Sequence, residues 1–308
     1  MKRFRRISAI ILLVLFANLL NGVPANAFGR RNHATVAYIA DQYLTDAARK
    51  AVQDIYQGES LLEYAVLPDE DRYEILVPLE KDEYIIVDGA PVLKGPDGNA
   101  FCYGAFFSTD DKGSVWTTIP HGWLADKDGN YLNIEKGECI WALKKYADVL
   151  RQRQNHSLQE VKLALHMVVH LVGDMHCPSH VHFTDGRDRN DLKYTVIYKG
   201  KEIRYHNIWD TNILVDRYLG GPADFAYYCD PLMNRSLSKK EALRRQKEIQ
   251  KGSIEDWCRD VSSRIGPVFE PEPGSEITKD QLQVFGPLGR EMILRAGYRL
   301  AALLNEVF

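Results

Sequence analysis

The chain has 308 residues, of which 45% are hydrophobic and 26% charged, so it is long enough to bury a sizeable core. Its 39 lysines and arginines are outnumbered by 42 acidic residues, which gives a formal net charge of -3. This balance excludes a broadly basic coat that binds nucleic acid without a dedicated site, and any polyanion would have to bind at a local site such as bound metal ions.

The first 27 residues have the three parts of an export signal. Four basic residues within 1–6 precede an apolar run over 7–20, and the small-residue sequence Ala-Asn-Ala at 25–27 precedes Phe28. The apolar run is too short for a comfortable membrane span. We expect cleavage after Ala27 and no membrane anchor. The exported protein, periplasmic or secreted, would be residues 28–308, with a net charge of -7 after loss of the four basic residues.

Five cysteines lie in this exported chain, at positions 102, 139, 177, 229 and 258. One or two disulfides are plausible in an oxidising compartment, with one thiol left over. The pairing cannot be read from sequence. The preferred arrangement joins Cys102 to Cys139 and Cys229 to Cys258, because Cys177 lies inside a motif described below.

Apolar residues recur at helical spacing in four segments: 33–56, 138–154, 157–176 and 278–308. Thr45 and Asp46 predict a second helix within the first segment, and Ser157 with Glu160 predicts a capping box. Gly, Pro and Asp punctuation between 69 and 135 predicts long loops around short elements. Alternation over 192–205 predicts a small β-hairpin that turns at 199–200 and gives way to a helix. No repeat or linker divides residues 28–308, so we expect one mainly helical (all-α) domain. We also expect a monomer, although the sequence does not determine the oligomeric state.

The sequence HLVGDMHCPSH contains the first metal-binding pattern. His170 and Asp174 are one helical turn apart, so both side chains leave the same face and could hold one metal ion. A single pair of this kind is also common as an ordinary hydrogen bond on a helix face. Pro178 ends the helix, which allows His180 to reach back toward the same pocket.

The sequence HNIWD repeats this spacing with His206 and Asp210. Two such pairs within forty residues favour metal binding over coincidence. Because calcium and magnesium prefer oxygen ligands, the mixture of imidazole and carboxylate favours zinc.

The predicted mature start, FGRRNHATVAY, places His33 close to the free α-amine of Phe28, and a free amine can itself bind a metal. Together with HLVGDMHCPSH, HNIWDTN and the closing RAGYRLAALLN, it makes the chain resemble the S-one/P-one nuclease family. These are zinc-dependent single-strand nucleases of fungi and plants, related to zinc-dependent phospholipase C. The resemblance runs in order along residues 28–308 and is dense only at these motifs.

The resemblance implies three zinc ions in a cleft. Phe28, through its α-amine and carbonyl, and His33 would bind the first ion. Asp174 would bridge it to a second ion and would be the catalytic carboxylate where the hydroxide nucleophile is held. The other implied ligands are Asp69, His121 and His170 on the second ion, and His180, His206 and Asp210 on the third.

Two of these ligands lie upstream of the dense motifs. AVLPDEDR matches the family's spacing of aspartate, two residues and arginine if Asp69 pairs with Arg72, although Asp71 competes for the role. His121 in IPHGWLAD is the only histidine between His33 and His156, but its surroundings are not a clean match.

The remaining histidines have less specific interpretations. His166 is one turn before His170 and is interpreted as a partly buried histidine whose hydrogen bonds are satisfied. His176 and His182 flank the motif and could orient ligands or contact phosphate. His156 is interpreted as a solvated loop residue.

The chain also departs from the family pattern. Phe28 replaces the usual tryptophan, which changes packing more than coordination by backbone atoms. Cys177 replaces the usual glutamine and is either a spare ligand or a small hydrophobic residue. DGRDRND, with Asn190, stands where the family has Asp-x-Gly-Gly-Asn on the substrate side of the cleft, so the substrate preference stays open. Asn190 and, from AVLPDEDR, Arg72 are expected to bind substrate.

The implied function is a zinc-dependent phosphodiesterase that hydrolyses single-stranded DNA or RNA to 5′-phosphate products and could also act on 3′-nucleotides. Zinc would neutralise the phosphodiester and make hydroxide available near neutral pH. A phospholipase C-like enzyme is the nearest alternative, although glutamate would be expected at Asp210 in that branch. A non-catalytic exported zinc-binding protein is the other alternative, but no ligand of the strong motifs is missing.

Overall fold

The protein is analysed as a computed structural model that describes part of the chain. The described residues are 29–58, 60–65, 84–87, 90–93, 107–109, 115–116, 119–125, 131–134, 138–183, 194–215 and 220–308. The predicted signal sequence at 1–27 lies outside them, as do four predicted site residues: Phe28, Asp69, Arg72 and Asn190.

The predicted fold class, mostly helical with a small hairpin, is confirmed. In the described segments, α-helices cover Gly29–Gln42, Asp46–Tyr56, Leu61–Tyr64, Glu138–Arg151, Leu158–Met175, Tyr205–Asn207, Ile213–Val215, Pro222–Cys229, Lys239–Gln250, Ile254–Ser262 and Lys279–Val307. Short 3-10 helices cover Arg153–Asn155, Pro178–His180 and Gly266–Phe269, and a π-helix covers Ile208–Asn212. None of these helices is long and apolar enough to cross a membrane.

Local signals place several helix starts. The Thr45 hydroxyl accepts a hydrogen bond from the Ala48 amide at 3.2 Å, so a second helix begins at Asp46 as predicted. Ser157 and Glu160 form the predicted reciprocal capping box.

The strands are short and pair mostly in antiparallel fashion. Tyr84–Val87 pairs with Ala90–Leu93, Ile119–Ala125 with Tyr131–Ile134, and Thr195–Tyr198 with Lys201–Arg204. Phe107–Thr109 pairs with Val115–Trp116 and, in parallel, with Val181–Phe183. The predicted hairpin is confirmed, since Tyr198 pairs with Lys201 and the two turn residues, Lys199 and Gly200, have φ of +52° and +73°, as a type I′ turn requires.

Three helices form the part of the core that holds the site. We call Gly29–Gln42 the N-terminal helix, Leu158–Met175 the central helix and Lys279–Val307 the C-terminal helix. Gly297 lets the N-terminal and C-terminal helices pack closely. A Cβ at this position would lie only 2.5 Å from Ile39 Cγ2, so a larger residue would not fit. The closing motif therefore acts in packing, and Tyr298 within it donates a 2.7 Å hydrogen bond to the buried Asp230.

The preferred pairing of Cys229 with Cys258 is wrong. Both are free cysteines, and they lie on different helices, Pro222–Cys229 and Ile254–Ser262. Nearness in sequence did not bring the two helices into disulfide geometry. Cys102 lies outside the described residues, so its pairing with Cys139 stays a prediction.

Candidate metal centre

The central helix presents His170 and Asp174 on one buried face. Almost all of this helix is buried, and both side chains have no exposed surface. His170 Nε2 lies 3.2 Å from Asp174 Oδ2, in the one-turn relationship that the spacing predicts.

The N-terminal helix brings His33 to the same carboxylate. His33 Nε2 lies 3.0 Å from Asp174 Oδ1, and the His33 and His170 rings stack with centroids 4.4 Å apart. A Cβ at position 173 would lie only 2.6 Å from His33 Nδ1, so the glycine of HLVGD leaves the space that the His33 ring occupies.

A backbone carbonyl orients His170. Its Nδ1 lies 3.2 Å from Ala65 O, and a carbonyl can only accept a hydrogen bond, so the proton is on Nδ1 when the ring is neutral. The lone pair of Nε2 then faces Asp174. Metal-binding histidines usually have such a partner on the other ring nitrogen.

A second group of side chains, formed by Cys177, His180, His206 and Asp210, lies beside the first group, which is formed by His33, His170 and Asp174. His180 ends the short Pro178–His180 helix, and its Nδ1 lies 3.9 Å from Asp174 Oδ2. The rings of His180 and His206 stack at 4.9 Å, and His206 Nε2 is 2.5 Å from Asp210 Oδ2. Proline at position 178 therefore allows the predicted return of His180 toward the pocket.

Asp210 lies in a π-helix, Ile208–Asn212, rather than in the regular helix expected from HNIWD. Such π-helical turns occur often at functional sites. The Ser179 hydroxyl lies 3.0 Å from His206 Nδ1, and the Cys177 thiol donates to Asp210 Oδ1 at 3.3 Å. The Asp210 carboxylate thus has His206 at one oxygen and Cys177 at the other.

The start of the N-terminal helix lies against the backbone of Asp210. Asn32 Nδ2 donates a 2.6 Å hydrogen bond to Asp210 O. Gly29 has φ of +49°, and a Cβ there would lie 2.6 Å from the same oxygen. Gly29, the first described residue of the chain, therefore lies close to the second group.

The charges of the first group favour a bound cation. Burial raises the pKa of Asp174, but the positive charges that His170 and His180 carry when they are protonated outweigh it and hold that pKa below its usual range. A bound cation would supply the same compensation when the rings are neutral. Both carboxylate oxygens are buried, and neither accepts a well-aligned hydrogen bond. An ionised buried carboxylate of this kind is costly unless a positive charge compensates it.

Both groups fit metal ions. One potential ligand atom from each of His33, His170 and Asp174 lies within 4.8 Å of the others, and the same is true of Cys177, His180 and Asp210. Two ligand atoms on one tetrahedral zinc, each about 2.0–2.1 Å from the ion, are about 3.3 Å apart. The nitrogen to oxygen distances of 3.0 and 3.2 Å around Asp174 agree with that spacing.

The interpretation of His176 as a residue that orients ligands is wrong. Its Nδ1 donates to Val172 O at 2.7 Å, and its Nε2 accepts from Arg299 at 2.9 Å. Burial and the Arg299 charge lower the pKa of His176, so the ring is neutral and stabilises the contact of the central and C-terminal helices.

From the sequence, His166 is interpreted as a partly buried histidine whose hydrogen bonds are satisfied, but the structure shows it almost fully buried with one ring nitrogen that has no partner in the described residues. Its exposed fraction is 4%, and this nitrogen is Nδ1. Its ring packs edge-on against Tyr56 and Tyr64. Burial, with a smaller effect of Lys162, lowers its pKa to about 3.

The motifs and the geometry agree with a known family. The sequence model of the S1/P1 (S-one/P-one) Nuclease family matches residues 109–308. The chain belongs to the S1/P1 nuclease family. It is similar to Nuclease S1 of Aspergillus oryzae, with 25% identity over 298 residues and 91% of each chain covered. It is also similar to Endonuclease 2 of Arabidopsis thaliana, with 23% identity over 324 residues and 97% of each chain covered.

Six of the predicted ligands lie close together in the structure: His33, His170, Asp174, His180, His206 and Asp210. His121 lies on the strand Ile119–Ala125, and its side chain is outside the described part of the structure. The supporting contacts of Asn32, Ala65 and Ser179 were not predicted. The sequence signal for two of these contacts is adjacency to a predicted ligand, because Asn32 directly precedes His33 and Ser179 directly precedes His180.

Proposed function

We propose that the chain is an exported, zinc-dependent nuclease that hydrolyses single-stranded DNA and RNA to 5′-phosphate products, and 3′-nucleotides to nucleosides and inorganic phosphate. The observation that carries the proposal is the position of Asp174. Its Oδ1 faces His33, while its Oδ2 faces His170 and, at a longer distance, His180. One carboxylate between histidines from three segments is suited to bridging two ions.

The proposed centre contains three zinc ions. Its ligands would be Phe28 and His33, with Asp174, on the first ion; Asp69, His121 and His170, with Asp174, on the second; and His180, His206 and Asp210 on the third. Bound zinc would act as a Lewis acid that neutralises phosphate charge and provides hydroxide near neutral pH.

The protein's part is to supply and hold the ligands. Asp174 stays ionised in a fully buried position, and the Ala65 carbonyl and the Ser179 hydroxyl orient His170 and His206. These contacts hold the imidazole nitrogens toward the carboxylates before a metal ion binds, which reduces the conformational entropy lost when the ion binds. Arg72 and Asn190 are proposed to contact the substrate.

Signal removal is part of the proposal. A Cβ at Gly29 would lie 2.6 Å from Asp210 O, so Gly29 is close to the second group, and we propose that cleavage after Ala27 releases the α-amine of Phe28 beside the centre. The names of both relatives, Nuclease S1 and Endonuclease 2, support a nucleic acid as substrate.

A substrate comparison tests the proposal. A chain beginning at Phe28 is stripped of metal with a chelator, reloaded with zinc, and assayed on single-stranded DNA, double-stranded DNA, RNA, a 3′-nucleotide and phosphatidylcholine. We expect zinc-dependent cleavage of the single strands with 5′-phosphate ends. Preferential hydrolysis of phosphatidylcholine would instead establish the phospholipase C-like function, and bound zinc without turnover would establish the non-catalytic one.

A further inference from the structure

Cys177 is the one side chain of the second group that the proposed ligand set does not use. It has no exposed surface, and its Sγ lies 3.3 Å from both Asp210 Oδ1 and Ser179 Oγ. Its Sγ also belongs, with a nitrogen of His180 and an oxygen of Asp210, to the second group of potential ligand atoms that lie within 4.8 Å of one another.

We propose that Cys177 is a sulfur ligand of the metal ion held by His180 and Asp210. The inference rests on the proposed metal content and deepens it, because it changes the chemistry of the ion from a nitrogen and oxygen site to one that contains a soft donor. Zinc, cobalt and cadmium are divalent ions that accept such a mixed set.

The neighbours of Cys177 argue against a role as a small hydrophobic residue. A cysteine that only fills space has apolar contacts around its sulfur. Cys177 belongs to the hydrophobic core, but its sulfur also contacts a hydroxyl and a carboxylate, and the carboxylate belongs to a residue that faces histidine with its other oxygen.

The hydrogen bond between Cys177 and Asp210 marks a place where a cation can bind. The thiol donates its proton toward Asp210 Oδ1. A divalent ion held here would replace this proton, which would pass to solvent, and the Cys177 sulfur would supply an electron pair to the ion. No oxidant or reductant is required.

Cys177, His180 and Asp210 can each supply one ligand atom to the same ion. His206 approaches Oδ2 at 2.5 Å, while Cys177 approaches Oδ1 from the other side of the carboxylate. His180 stacks on the His206 ring and shares the 4.8 Å group with Cys177. An imidazole, a carboxylate and a thiolate are donors that zinc accepts.

Cobalt absorption spectra test the inference directly. The purified chain beginning at Phe28 is stripped of metal and titrated with Co²⁺. A thiolate on cobalt adds a sulfur-to-metal charge-transfer band in the near ultraviolet, separate from the visible bands that report cobalt in any tetrahedral site. We expect both kinds of band in the unaltered chain.

Two variants and one control assign the band. Cys177→Ser and Cys177→Gln should lose the charge-transfer band and keep visible cobalt bands, while Cys229→Ser, which removes another free thiol on a separate helix, should keep both. Visible bands without the charge-transfer band in the unaltered chain would overturn the inference and leave the proposed function intact. Absence of all cobalt bands would overturn both.

Discussion

His33 Nε2 lies 3.0 Å from Asp174 Oδ1, although the two residues are far apart in the sequence and both side chains are fully buried. The contact joins the first helix after the predicted cleavage site to the central helix. The proposed first metal site depends on this buried contact.

Asp174→Asn should remove metal and activity together. Asparagine keeps the shape of the side chain but loses the negative charge that both neighbouring histidines face. We expect fewer bound zinc ions per chain, measured by elemental analysis, and phosphodiesterase activity lower by at least about 100-fold. Asp54→Asn, at an exposed carboxylate paired with Lys50, is the control and should retain both. Unchanged zinc content and activity in Asp174→Asn would sink the mechanism.

Gly173→Ala should displace His33. The added Cβ would lie 2.6 Å from His33 Nδ1, a distance at which the ring must move. We expect zinc affinity to fall by about 10- to 100-fold and the free energy of unfolding to fall by about 1–3 kcal/mol. The two quantities are measured by competition with a chelating dye and by urea unfolding of the metal-free protein.

The matched control for this variant is Gly266→Ala, where an added Cβ meets no atom within 4 Å. It should change zinc affinity little. Equal effects of the two substitutions would show that the space at position 173 does not matter to His33.

A protein with residues before Phe28 should bind one zinc ion fewer than the protein that begins at Phe28. If the α-amine and carbonyl of Phe28 bind metal, a chain with residues left before Phe28 cannot present that amine, although its ligand side chains are intact. We expect one zinc fewer per chain than in the protein that begins at Phe28. The same extension placed after Phe308 controls for added length, and equal zinc counts in all three proteins would contradict the proposed role of Phe28.

Burial of His166 should make the protein less stable in acid. Burial lowers its pKa from 6.5 to about 3, so the folded protein keeps a neutral ring while the unfolded chain takes up a proton below about pH 6.5. The titration of His166 therefore does not lower the free energy of unfolding above pH 6.5. That free energy falls as the pH drops from 6.5 toward 3, by up to about 1.4 kcal/mol per pH unit.

Urea unfolding of metal-free protein at several pH values between 7 and 4 measures this contribution. His166→Gln, which cannot titrate, should show a shallower fall in the free energy of unfolding than the unaltered chain. His156→Gln removes a histidine whose side chain is 28% exposed and controls for the loss of a histidine as such. Parallel pH profiles for the unaltered chain and His166→Gln would contradict the prediction.

Local signals were sufficient for much of the fold, yet some were overlooked. Ser157 with Glu160 predicted the start of the central helix, and the same kind of capping box, Ser238 with Glu241, begins a helix that periodicity did not reveal. That helix, Lys239–Gln250, is mostly charged, so few apolar residues mark its buried face.

The sequence by itself determined what depends on neighbours along the chain: the principal helices, the 199–200 turn, and the one-turn spacings of His170 with Asp174 and His206 with Asp210. Only the tertiary structure decided which distant residues meet. It placed His33 against Gly173, directed His176 to Arg299 instead of the metal centre, and brought Cys177 to Asp210. The reason is physical. Helical periodicity defines the direction of each side chain around its own axis, whereas contacts between helices depend on how their faces pack.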